Sequence, residues 1–112
     1  MNPGSIVLLH LREPNEKYWG RLLRLDAAGV TLRGLNLSSF KDWMVEAAGE
    51  EAQSIAPTGV FFPMHRIECI FLDERVGSVE SYVERFETWV GEPLSQHLPL
   101  ANETDPGPSH QG

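Results

Sequence analysis

The sequence predicts a mainly β domain, a small five-stranded barrel with two added helices. Three observations point to it. Residues 5–34 hold three short apolar segments separated by two turn-rich breaks, the pattern of an antiparallel meander. Two further apolar segments, residues 60–64 and 67–72, follow each other with only His65-Arg66 between them. Helical periodicity is confined to one stretch before residue 60 and one after residue 77. A chain of 112 residues with 41% hydrophobic content supports one domain around a single core.

The first strand, residues 6–12, is apolar on both faces. Ile6 and Leu8 share one with His10, and Val7, Leu9 and Leu11 form the other. Such a strand is buried on both sides, so something beyond the sheet must cover it. Glu13-Pro14-Asn15-Glu16 is a turn, because Pro cannot donate to a ladder and Asn tolerates turn conformations. The second strand, 17–25, is interrupted by Gly20, a mark of a bulge, a bend or a close backbone approach. After the turn Asp26-Ala27-Ala28-Gly29, residues 30–33 alternate cleanly as the third strand. At Gly34 the apolar positions pass from even (Val30, Leu32) to odd (Leu35, Leu37), which predicts a break in register.

Residues 35–59 form a long insertion before the fourth strand. Within it, residues 38–49 read as a helix, with Ser38 or Ser39 as cap and Asp42 in capping-box spacing. Phe40, Trp43, Met44 and Ala47 make its apolar stripe, expected to cover one mouth of the barrel, and Gly49 ends it. Residues 50–59 are a polar loop, and the whole insertion 35–59 is of a length where function often resides. Pro63 places the fourth strand at an edge or a strand end. His65-Arg66 makes a tight turn of 3₁₀ type, and the fifth strand, 67–72, closes the barrel. Cys69 within it reads as a small buried hydrophobe. Asp73 and Glu74 are neighbours whose side chains diverge, so they read as solvated strand-end charges.

Residues 78–90 are the second helix, with Ser78 as its cap. Val79, Tyr82, Val83, Phe86, Trp89 and Val90 form one stripe, expected on the barrel's outer face, and Gly91 and Pro93 stop the helix. That packing would cover the second apolar face of the first strand; pairing of the stripe with another subunit is the alternative. Residues 99–112 lack periodicity and read as a flexible tail, leaving residues 1–98 as the domain.

Gly20-Arg21-Leu22, Leu25-Asp26 and Val30-Thr31-Leu32 together resemble the first motif of Sm-like small barrels, within the wider SH3-like group. Phe62-Pro63-Met64-His65-Arg66-Ile67-Glu68-Cys69-Ile70 is similar in placement to their second motif. The resemblance implies a five-stranded barrel that pairs its fourth and fifth strands with neighbours to form rings. It does not bring RNA contacts with it. Gly29 stands where RNA-binding members carry Asn after the Asp turn, and Pro63-Met64 replaces their Arg-Gly.

No phosphate-binding Gly loop, zinc-protease motif, Cys/His cluster or nucleophile elbow is present. His97 and His110 have no second ligand at i+3 or i+4, so neither cofactor nor metal is expected. The single cysteine excludes an internal disulfide. No apolar run approaches the ~20 residues that span a membrane, and Met1-Asn2-Pro3-Gly4 does not start a signal peptide, which predicts a cytoplasmic protein. The net charge of −7 is uneven. Residues 1–34 carry five Arg/Lys against three Asp/Glu, and residues 35–112 carry four against thirteen. Long-range repulsion of phosphates is the consequence. The expected role is therefore non-catalytic protein binding or self-association, through a strand edge around Phe61, Pro63, Met64, His65 and Arg66. The alternative is RNA binding on the basic meander, with Arg21, Arg24 and Arg33 for phosphates and Tyr18 and Trp19 for stacking.

Overall fold

The structure, a computed structural model, describes residues 1–98. The tail expected at 99–112, with His110, lies outside the described residues. Five strands, β1 (Ile6–Leu11), β2 (Glu16–Asp26), β3 (Gly29–Asn36), β4 (Thr58–Pro63) and β5 (Ile67–Leu72), form one antiparallel sheet in the order β4-β3-β2-β1-β5. Two helices, α1 (Phe40–Ala48) and α2 (Tyr82–Val90), complete the domain.

The sheet is open. β4 and β5 are its two edges, where sequence reading expected β5 to close a barrel. A single 3₁₀ turn, Met64–Arg66, joins them. It is tied to opposite parts of the sheet: the Met64 amide donates to the Ala28 carbonyl (2.9 Å), and the Arg12 amide donates to the Arg66 carbonyl (2.8 Å). The turn thus directs β4 onto β3 and β5 onto β1 rather than onto each other.

The register of β3 does not break at Gly34. Gly20 stands directly opposite Gly34, and the β2–β3 irregularity falls between Leu22 and Arg24 instead. A β-carbon on Gly20 would lie 2.6 Å from the Gly34 Cα and against the Arg33 carbonyl. The two backbones approach where neither residue has a side chain, the close approach that a strand glycine signals. The change of parity along β3 has another cause. Val30 and Leu32 face one core, and Leu35 faces a second core on the other side of the sheet.

That first core contains Val7, Leu9, Leu11, Leu22, Val30, Leu32, Phe62 and Ile67, drawn from all five strands and from neither helix. With no helix over them, these residues are buried because the sheet curves over its own face. The second core covers the opposite face. There Trp19 and Leu35 meet Phe40, Trp43 and Met44 of α1, Phe86 of α2, and Leu94 and Leu98 beyond it. Both faces of β1 are thereby buried or half-buried, as its sequence requires. α1 does not cover an end of the sheet by itself. It joins α2 on the outer face, where Trp43 stacks on Phe86 with centroids 4.5 Å apart.

α2 starts later than its apolar pattern suggests. Its cap is Ser81, not Ser78, in a reciprocal box with Glu84: the Glu84 amide donates to Ser81 Oγ (3.0 Å) and the Ser81 amide to Glu84 Oε1 (2.9 Å). Ser39 makes no side-chain cap of α1; Asn36 instead accepts from the Ser38 amide ahead of it. Val79, before the helix, is exposed, and so is Trp89 in its last turn. After Gly91, in the left-handed region, the chain turns back and Leu94 and Leu98 fill the core in place of Trp89.

Asp73 is a structural joint rather than a solvated charge. Its Oδ1 accepts from the Tyr82 amide (2.8 Å), and its Oδ2 accepts from the Val83 amide (2.9 Å) and from Trp19 Nε1 (3.1 Å). One carboxylate at the end of β5 thus satisfies two free amides at the start of α2 and the only donor of a buried indole. Asp73→Ala should cost about 2–3 kcal/mol in urea unfolding, with Trp19 emission moving to the red as α2 detaches. A cost near zero would mean that packing alone seats α2.

The glycine pair gives a second test. Gly34→Ala should destabilise by about 2–3 kcal/mol or prevent folding. Gly49→Ala, which meets nothing closer than 3.6 Å, should be close to neutral in the same assay.

Candidate partner-binding edges

Antiparallel residue pairs alternate between hydrogen-bonded and open ones, so one bond sets the phase of a whole edge. Met64 donates to Ala28, and β4 runs in regular register with β3 from Pro63 opposite Gly29 to Thr58 opposite Gly34. The amides and carbonyls of Phe62 and Val60 therefore face β3, and those of Phe61 and Gly59 face outward. On β5 the Asp73 amide donates to the Ile6 carbonyl (2.9 Å), so Phe71 and Cys69 pair with β1 while Ile70 and Leu72 face outward. Pro63 has no amide to offer, but its place on β4 is an outward one, so it costs no bond to β3.

Both edges carry exposed apolar side chains. Phe61 is 51% exposed on β4, and Phe71 and Leu72 are 48% and 45% exposed on β5. Phe71 leans on His10, edge to face, at 4.9 Å. Met64 is exposed just beyond β4, as is His65. Arg66 plays a different part. Its guanidinium donates to the carbonyls of Arg12 and Pro14 and to Glu16 Oε1, which straps the 3₁₀ turn to the β1–β2 turn. The site residues expected at this edge thus divide into Phe61, Pro63, Met64 and His65 at the surface and Arg66 turned inward.

The residues considered for RNA do not form one exposed surface, although Arg21, Arg24 and Arg33 lie on the same outer face of the sheet. Trp19 is fully buried and offers no ring to a base. Arg21 is buried, donating to the carbonyls of Gly4 (2.8 Å) and Leu98 (3.0 Å). Tyr18 packs edge-on against Phe62 at 4.8 Å in the first core. Arg24 is exposed but held by Asp26 at 2.7 Å. Arg33 is half-buried on the outer face. Alternation separates Tyr18 from Trp19, adjacent on a strand and pointing to opposite faces, and burial removes Trp19 and Arg21 from the outer surface. Cys69 is half-buried rather than fully enclosed.

The Sm-like resemblance implies a partner-seeking edge on β5 as well as on β4, and the strand order places β5 at a rim. Its run Ile70-Phe71-Leu72 is apolar on both faces without a helix to cover both, a signal of an edge seeking a partner. A groove of about 580 Å³ also opens beside His10, Lys17, Leu37 and Glu68. Its charged side chains are of both signs and form no nucleophile–base arrangement. Among the described residues no three His, Cys, Asp or Glu side chains converge on a metal position, and no helix is long and apolar enough to cross a membrane. Comparison with known proteins gives no match to a family model, to a curated protein or to a solved structure.

Three surface carboxylates titrate below their ordinary range. The Ala28 amide, followed by Arg24, lowers Asp26 at the β2–β3 turn. The Ser54 hydroxyl and the Ile55 and Ser54 amides lower Glu46, which latches the insertion loop to α1. The Ser81 amide, with a further contribution from Arg75, lowers Glu84. A depressed carboxylate stabilises the fold above its ordinary pKa, and that contribution is lost as pH falls through the folded value. Stability should therefore be level above pH ~5 and decline below pH ~4. In a set of acid unfolding curves, Glu84→Gln should lose part of the low-pH slope; an unchanged slope would show that the capping box does not titrate with folding.

Proposed function

We propose that this protein is a non-catalytic protein-binding module that engages partner strands at the open β4 and β5 edges of its sheet. The observation that carries this reading is the pairing of free backbone groups with exposed Phe61 on one edge and exposed Phe71 and Leu72 on the other. Main-chain bonds supply affinity in such strand addition, and alternate side chains supply selectivity. An Sm-like or SH3-like small barrel is the architecture we infer. It is supported by the Gly20 approach, by the first core covered by the sheet's own curvature, and by the 3₁₀ turn between β4 and β5. Self-assembly, with β4 of one copy on β5 of the next, is the form the Sm-like resemblance implies; a foreign strand is the other.

The experiment combines light scattering on a sizing column with binding of a library of extended heptapeptides. Phe61→Lys and Leu72→Lys place a charge on each edge without removing a core side chain. We expect self-association or peptide binding that at least one variant weakens tenfold or more, with an unchanged melting temperature. A monomer that binds no peptide, or binding indifferent to both variants, would overturn the reading.

A further inference from the structure

We infer that the β4 edge receives an extended peptide bearing a carboxylate opposite Gly59 and an apolar side chain opposite Phe61. This rests on the edge reading above and names the chemistry of the partner. The register places six residues of the outer sheet face in two rows: Arg24, Thr31 and Phe61 in one, and Arg21, Arg33 and Gly59 in the other. Arg33 thus has another arginine on one side and a residue without a side chain on the other. Like charges directly opposite each other on a sheet are destabilising, and a half-buried guanidinium calls for a counter-charge. Arg24 has Asp26, and Arg21 is held by two carbonyls. Arg33 Nε is buried without a hydrogen-bond partner, and no ion pair to Arg33 occurs among the described residues.

Gly59 determines where the counter-charge can come from. Arg33 Nη2 lies 3.6 Å from the position a β-carbon on Gly59 would take, so the guanidinium extends across that gap toward the sheet edge. The backbone of Gly59 faces outward, and an added strand would lie ~4.8 Å beyond it. A Glu or Asp opposite Gly59 would then project on the same face as Arg33 and reach it as a charge-assisted pair. Two residues along, the same face brings a peptide side chain against exposed Phe61. In antiparallel addition the peptide therefore reads apolar, any residue, acid. Within β5 of a second copy the outward positions are Glu68, Ile70 and Leu72, and antiparallel pairing confined to that strand sets no acid two residues after an apolar one; Leu72-Asp73-Glu74 has the pattern only by running past the end of the strand.

The test uses the full chain and two blocked heptapeptides, Ser-Thr-Phe-Val-Glu-Thr-Ser and the same sequence with Gln for Glu, titrated by calorimetry. The Glu peptide should bind at least tenfold more tightly than the Gln peptide. Arg33→Gln should abolish that preference, and Gly59→Val, which fills the gap and leaves the charge in place, should weaken the Glu peptide tenfold or more. Amide shifts on binding should centre on Gly59 and Phe61. Equal affinity for the two peptides would overturn the proposal while leaving strand addition intact. So would self-association through β4 that excludes the Glu peptide, which would assign the edge to a second copy. If neither peptide binds and Phe61→Lys changes no association, the proposal and the edge reading fail together.

Discussion

The fold depends on how one indole is seated. Trp19 is fully buried on the outer face of β2, with Phe40 at 5.0 Å and Trp43 at 5.6 Å between ring centroids. An indole gains by burial only if its N–H finds an acceptor. Asp73 is that acceptor, and the same carboxylate takes the first two amides of α2. Sheet, insertion helix and C-terminal helix therefore meet at one residue pair. Remove the carboxylate and a buried donor and a helix terminus lose their partners together.

With the outer face given to the helices, the inner face has only the sheet itself to cover it. Curvature does this, and the facing Gly20 and Gly34 let the backbones of β2 and β3 come close enough. The same curvature leaves β4 and β5 as edges joined by a strapped 3₁₀ turn. The helices lie on the second core, so they cover a face and not the rims. Open edges with exposed Phe61, Phe71 and Leu72 follow from spending both helices on Trp19.

Much of the candidate edge was legible. Pro63 signalled an edge strand because it lacks an amide, and it sits on one. The two faces of β1 were separable by alternation, and so was the need for a covering layer. Arg33 was visible as one of the basic residues of the meander and as a candidate phosphate contact, not as a residue of the sheet edge. Its significance comes from Gly59, 26 residues further along the chain and directly opposite it in the sheet. Nothing local joins the two positions. The burial of Trp19 and Arg21 was hidden for a related reason: a list of arginines and aromatics does not say which of them the second core has enclosed.

The amino-acid sequence by itself determined the strands, the turns, the helix periods and the presence of two apolar faces on β1. These follow from spacing and from backbone chemistry within a few residues, where Pro, Gly and alternation act directly. The tertiary structure alone decided three things: that the sheet stays open, that both helices share one face, and that Asp73 and Arg66 serve the fold while Arg33 faces an edge. Each of these is settled by which distant groups can satisfy a buried donor or charge, and that is a property of the packed chain.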